Sequence, residues 1–100
     1  MEMENLPGGS LIRDGLADLA AGRETEASLL VMIGAPRLRR LGFEIPAESP
    51  PFVEHRLYER LRAIHGDAAH SHYNALVRRL VSFESAAEQL SRRRGAGAGA

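Results

Sequence analysis

The residues of this chain best suited to chemistry are three arginines that follow its most apolar segment. Leu29–Ile33 is an uninterrupted run of five large apolar residues, a Gly-Ala-Pro sequence follows it, and Arg37, Arg39 and Arg40 come next. Guanidinium groups bind carboxylates and phosphates through paired hydrogen bonds, so the cluster could hold an anion, a carboxylate or a phosphate backbone. The pattern predicts a buried anchor beside a charged surface, with Arg37 exposed and Leu41 buried.

A second arginine group lies on the third predicted helix. Arg56 and Arg60 are four residues apart, so on a helix they project from the same side. We interpret both groups as the partner-binding residues, which are Arg37, Arg39, Arg40, Arg56 and Arg60. The alternative is a set of solvated helix faces with local ion pairs, such as Glu88 with Arg92 or Glu59 with a neighbouring arginine. Exposed pairs of this kind contribute under ~1 kcal/mol each.

The histidines suggest a metal site, because His65, Asp67, His70 and His72 fall within eight positions. Residues two apart on a helix point about 200° from one another at 3.6 residues per turn, so His70 and His72 cannot grip one ion. His65 and His70 could converge across the turn at Gly66, with Asp67 as a third ligand. No histidine pair has the helical spacing of three or four that places side chains together. We therefore predict no metal site and no cofactor.

Candidate acid and base residues exist, but their spacing is not diagnostic of catalysis. His72, Tyr73 and Asn74 lie near the start of the last predicted helix, and Glu54 or Glu59 of the third could face them. General acid–base catalysis requires such groups to converge in a pocket. The sequence contains no GxSxG, HExxH, P-loop or GxGxxG motif. We predict that the protein is not an enzyme.

The composition limits the class of protein. With 100 residues, 44% hydrophobic and 26% charged, the chain has the makeup of one globular domain. The absence of cysteine from the sequence excludes disulfides, thiolate metal sites and a cysteine nucleophile. The longest apolar run is far shorter than the roughly 20 residues that span a bilayer, so we expect no membrane partner and a cytoplasmic location. All 13 basic residues are arginine, which is typical of GC-rich coding sequence.

Helix-start and helix-stop residues divide the chain into predicted elements. Each predicted helix has a polar residue or a proline at its start and a glycine or a change of composition at its end. A flexible arm (1–9) comes first, followed by helices over 10–21, 25–33 and 36–41. The next helix begins near Ser49 and Pro50 and ends at Gly66. A long helix then runs from Asp67 to Arg93, and a disordered Gly/Ala tail (94–100) ends the sequence. The single helical domain is thus residues 10–93.

The last helix carries the clearest apolar periodicity. Apolar residues recur with a 4-3-4-3-4-3 spacing, at Ala69, Tyr73, Leu76, Leu80, Phe83, Ala87 and Leu90. The inner part of this stripe predicts a core helix, with Leu80 at its centre. Its end has no obvious partner within the chain, so we predict a homodimer seam formed by Leu80, Phe83, Ala87 and Leu90. An ordinary bundle helix with an overhanging end is the alternative.

These patterns predict an all-α fold, a small irregular bundle of four main helices plus one short helix after the Gly-Ala-Pro bend. We expect a non-catalytic protein-interaction or adaptor module that forms a homo-oligomer and binds a further protein partner. The alternative is a nucleic-acid-binding accessory protein that uses its arginine patches. Zero net charge gives weak non-specific attraction to a polyanion, so nucleic acid is the less favoured partner.

Overall fold

The chain is built from helices in the part that the computed structural model describes, residues 3–45 and 50–99, with side chains described as far as residue 93. These residues form α1 (Gly9–Ala20), α2 (Glu26–Arg40), α3 (Val53–His65) and α4 (Ala69–Gly99), with single-turn 3-10 helices at Met3–Asn5 and Gly66–Ala68. No strand occurs within the described ranges. The predicted all-α class is confirmed.

The predicted break before Pro36 is wrong, because α2 continues through this residue to Arg40. Proline has no N–H to donate to the preceding turn, although its fixed φ suits a helix. Ala35 and Leu38 on either side of it are fully buried, while Pro36 itself is exposed. Burial of these neighbours favours one continuous helix over the separate short helix that we expected over 36–41.

The N-terminal segment is packed against the bundle from Met3 onward. Met3 and Leu6 contact the core, although residues 1–9 were predicted to form a flexible arm. Gly8, in the left-handed region with φ 72°, is the N-cap of α1, and the predicted cap Ser10 lies inside the helix. A side chain at Gly8 would come within 2.7 Å of the Arg79 carbonyl oxygen, so this glycine allows the segment to approach α4 closely.

The other end of the chain also differs from the prediction. Residues 94–99, expected as a disordered tail, continue α4 as helix to Gly99. Adding residues to an existing helix forms one backbone hydrogen bond per residue without a new nucleation cost. At 1.5 Å per residue, the 31 residues of α4 extend about 46 Å, roughly two to two and a half times the length of the other helices. Ala100 and Ser49, where the third long helix was predicted to begin, lie outside the described residues.

The start of α2 is fixed by a reciprocal cap. The Thr25 hydroxyl accepts a hydrogen bond from the Ser28 N–H at 3.0 Å, and the Ser28 hydroxyl accepts one from the Thr25 N–H at 2.7 Å. The Thr25 hydroxyl in turn donates to Asp18 of α1. The prediction that Thr25 caps the second helix is confirmed, and the cap also ties α2 to α1.

The core is centred on α2, which packs against α1, α3 and α4. Gly15 permits the closest approach, because a side chain there would overlap the Ala27 carbonyl oxygen of α2. Gly34 likewise allows α2 to approach α4 closely, because an added Cβ would lie 2.8 Å from Leu80. The fully buried large side chains come from all four helices and include Ile12, Leu30, Val31, Leu38, Leu57, Leu61 and Phe83.

Candidate functional site

The first predicted site residue, Arg37, joins α2 to α4. Its Nη2 donates to Glu88 Oε2 at 2.6 Å, and its Nη1 lies 3.6 Å from Glu84 Oε1. Arg92 donates to the other oxygen of Glu88 at 2.7 Å, which confirms the predicted local pair. The Arg37 side chain is only 35% exposed. The expectation of an exposed Arg37 is therefore wrong, because two carboxylates of the same chain bind it at the helix crossing.

The two leucines beside this cluster agree only in part with the prediction. Leu38 is fully buried, whereas Leu41 is half-buried. Because the helix continues through Pro36, the last turn of α2 directs Leu38 at the core and places Leu41 at the helix end, as its C-cap. Leu38 and Leu41, three residues apart, were both expected to turn inward, and this expectation is right for Leu38 and wrong for Leu41.

The two carboxylates that bind Arg37 occupy different environments. Burial raises the pKa of Glu84, and the nearby Arg37 and Arg40 charges only partly oppose this. The hydrogen bond from Arg37, together with the Arg92 charge, lowers the pKa of Glu88. Glu84 is one of two buried polar residues in the described part of the chain, the other being Ser28. The cluster is built to hold α4 on α2.

The five predicted partner-binding arginines do not form a single surface. Arg39 and Arg40 are exposed in the last turn of α2, beside Arg37. Arg56 of α3 pairs with Glu24, which lies two residues before the start of α2. The 15 residues of α2 extend about 22 Å, so the two arginine groups lie at opposite ends of this helix.

Arg60, the fifth of these arginines, lies one turn beyond Arg56 on the same helix. It is exposed at the edge of an open groove between α1 and α3, which Asp14, Asp18 and Glu26 also line. Three carboxylates beside one arginine do not make a basic patch. The α3 arginines therefore face an acidic neighbourhood that belongs to their own chain.

The predicted dimer seam lies largely inside the bundle. Leu80, Phe83 and Ala87 are each no more than 3% exposed, and the Phe83 ring packs against Phe43 with ring centroids 5.5 Å apart. The interpretation that Phe83 and Ala87 have no intrachain partner is therefore wrong. Leu90 is half-buried at the edge of the same stripe. The predicted central position of Leu80 agrees with its burial.

The histidines divide between two contacts. His65 and His72 stack face to face, with ring centroids 3.7 Å apart and an interplanar angle of 13°, and Glu26 Oε1 lies 4.0 Å from His65 Nε2. His70 instead lies edge-on to Tyr58 and within 3.2 Å of the Asn74 amide. The expected divergence of His70 and His72 is confirmed. His65 converges with His72 and not, as considered, with His70.

This geometry supports the prediction that the histidines do not bind a metal ion tightly. Parallel stacked imidazoles direct their nitrogen lone pairs side by side, which does not suit the convergent geometry of a tetrahedral zinc site. We expect calorimetric titration with zinc or nickel to show no stoichiometric binding in the micromolar range. One-to-one binding that is lost in His70→Ala or His72→Ala would contradict this prediction. Within the described residues, no group of three or more histidines and carboxylates is placed to hold an ion.

The candidate catalytic residues pack as core and surface groups. Tyr73 is half-buried, its ring lies edge-on to Tyr58 at 5.8 Å, and burial raises the pKa of its hydroxyl, with a smaller contribution from the Glu54 charge. A raised pKa makes a phenol a weaker proton donor near neutral pH. Asn74 is engaged with His70.

A surface feature that the sequence patterns did not predict lies at the turn between α1 and α2. An open pocket of about 190 Å³ is lined by Leu19, Leu29, Met32 and Pro50, with Arg23 and Glu24 among its polar neighbours. We call it the α1–α2 pocket. Phe52, two residues after Pro50, is 79% exposed. The other large exposed apolar residues of the described chain are Ile64 and Val81.

Comparison with known proteins adds no assignment to this geometry. No protein-family model, curated protein or solved structure matches the chain. None of the described helices combines the length and apolar character that a membrane span requires. The function must be inferred from the surface itself.

Proposed function

We propose that this chain is a non-catalytic protein-interaction module that self-associates. The observation that supports this proposal is the position of Phe52, a large aromatic side chain that is exposed beside an open apolar pocket. Isolated apolar residues are common on protein surfaces, but an aromatic residue next to an apolar depression is typical of an interface. We therefore place the dimer contact at Phe52 and not on the apolar stripe of α4, which is buried inside the bundle.

The charge pattern supports a protein partner over a nucleic acid. Arg37 and Arg56 pair with carboxylates of their own chain, which reduces the positive charge available to a phosphate backbone. Of the other candidate arginines, Arg39 and Arg40 lie in the last turn of α2, and Arg60 lines the groove near the start of that helix. Phosphate binding depends on several cations acting together along one surface.

Sedimentation velocity over a range from low to high micromolar protein tests the proposal. We expect a reversible dimer whose stability changes little with salt, because apolar contact is not screened by ions. Anisotropy of a labelled DNA duplex provides the comparison with the nucleic-acid alternative. A protein that stays monomeric, and binds the duplex with an affinity that falls steeply as salt rises, would refute self-association and favour nucleic acid binding.

A further inference from the structure

Phe52 has a backbone conformation that bulky residues rarely adopt. Its φ is 57° and its ψ is 41°, and it is the only residue other than glycine with positive φ in the described part of the chain. For a large aromatic residue, the left-handed region is a true outlier. Such conformations persist where the surrounding structure enforces them, and they cluster at functional sites. Here the conformation accompanies a ring that stands in solvent at the start of α3.

The α1–α2 pocket has the size and chemistry to accept such a ring. Leu19, Leu29 and Met32 supply apolar walls, and Pro50 closes one side. An apolar cavity of about 150 Å³ is large enough to bind benzene. At about 190 Å³, this pocket can therefore hold a phenyl group.

Residues on both sides of Phe52 in the chain lie at or next to the pocket. Pro50, two residues before Phe52, forms a wall of the pocket. Arg56, one helical turn after Phe52, forms an ion pair with Glu24, which also lines the pocket. Phe52 therefore lies close to the α1–α2 pocket, but its 79% exposure shows that it does not fill the pocket of its own chain.

We propose that two copies of this chain pair about a two-fold axis, with Phe52 of each copy inserted into the α1–α2 pocket of the other. A two-fold interface uses one self-complementary patch twice, and a projecting ring beside a matching pocket is such a patch. Because both rings are used in the pair, the assembly closes at two copies. This inference rests on the proposed self-association and identifies the residues that carry it.

Phe52→Gly tests the role of the ring. Glycine adopts positive φ without strain, so this variant keeps the start of α3 while the ring is lost. We expect the dimer dissociation constant in sedimentation experiments to rise by about 100-fold or more, because two buried rings are lost at once. Ile64→Ala is the matched control, since Ile64 is also an exposed apolar residue (59%) but does not line the α1–α2 pocket. It should leave dimerisation unchanged.

Leu19→Trp tests the pocket from the other side. An indole at this position should fill the pocket and prevent dimerisation, while circular dichroism reports whether the helices remain folded. A mixture of Phe52→Gly and Leu19→Trp chains should regain association, because one intact ring can meet one intact pocket. This recovery would also show that both variants are folded, since neither could pair if misfolded.

The outcomes separate this inference from the proposed function. A wild-type dimer that persists unchanged in Phe52→Gly would overturn the Phe52 contact, while self-association would stand. A wild-type monomer at high micromolar concentration would remove both. A dimer weakened equally by Phe52→Gly and Ile64→Ala would mean that general surface hydrophobicity, and not the ring in its pocket, drives association, and the inference would fail.

Discussion

Phe83→Ala should lower the free energy of unfolding by about 3–5 kcal/mol, the range for truncating a buried phenylalanine. The Phe83 side chain is fully buried, and it packs against Phe43 of the segment that follows α2. Its removal leaves a cavity where α4 meets this segment and the core, and rigid helices on either side cannot close it. Denaturant unfolding followed by circular dichroism measures the change.

The matched control for this prediction is Val81→Ala. Val81 lies two residues away on the same helix but is 47% exposed, so its truncation should cost far less. Wild-type stability in Phe83→Ala would show that α4 does not pack through this residue. If Phe83→Ala instead dissociates a dimer while the monomer stays folded, the result would support the homodimer seam that the sequence predicts on α4.

The features that could be predicted from sequence are those set by local physics. The apolar spacing of α4 placed Leu80 in the core, and the pair Glu88–Arg92 follows from the four-residue spacing of a helix. The cap at Thr25 was also predictable, because a hydroxyl before a helix satisfies a backbone N–H of the first turn. In the cap and in the ion pair, the interacting groups lie within one or two turns of each other.

The interpretation of Pro36 shows where local rules fail. A proline in a helix interior costs one hydrogen bond, and this cost favours a break when the residue is considered alone. In the folded chain, Ala35 and Leu38 are fully buried against other helices, and a break would remove both from the core. Tertiary burial outweighs the local cost, and sequence periodicity over six residues could not reveal it.

The partners of Arg37 could not be predicted for a different reason. Glu88 is 51 residues away in the chain, and the pair forms only because α2 and α4 cross closely at Gly34. The first thirty residues hold six carboxylates against two arginines, but the partners of Arg37 are on the last helix. No sequence pattern indicated that Phe52 would be exposed, because two prolines before a phenylalanine do not predict positive φ.

The Arg37 cluster leads to a prediction about pH. A buried glutamate with a raised pKa binds its proton more readily in the folded state than in the unfolded chain. Glu84 therefore adds stability below the ordinary carboxyl pKa of 4.5, and this stability is lost as the pH rises through the interval between 4.5 and the raised value. Glu88 behaves in the opposite way, because its lowered pKa gives stability that is lost as the pH falls.

Arg37→Ala should therefore destabilise the protein by about 1–3 kcal/mol near neutral pH, because it leaves a buried carboxylate without its closest cation. The loss should shrink at about pH 4, below the ordinary carboxyl pKa of 4.5, because Glu84, whose pKa is raised, is then mostly protonated and carries no charge to pair. Chemical unfolding at both pH values measures the difference, and Arg78→Ala, an exposed arginine on α4, is the control.

Two further variants assign the effect to Glu84. In Glu84→Gln the buried carboxylate is replaced by a neutral amide, so adding Arg37→Ala should then cost much less near neutral pH. In Glu88→Gln the buried charge remains, so adding Arg37→Ala should keep most of its cost and its dependence on pH. If Arg37→Ala is equally destabilising at both pH values and in both backgrounds, Arg37 stabilises the bundle through the packing of its aliphatic stem, and the electrostatic account of this cluster is wrong.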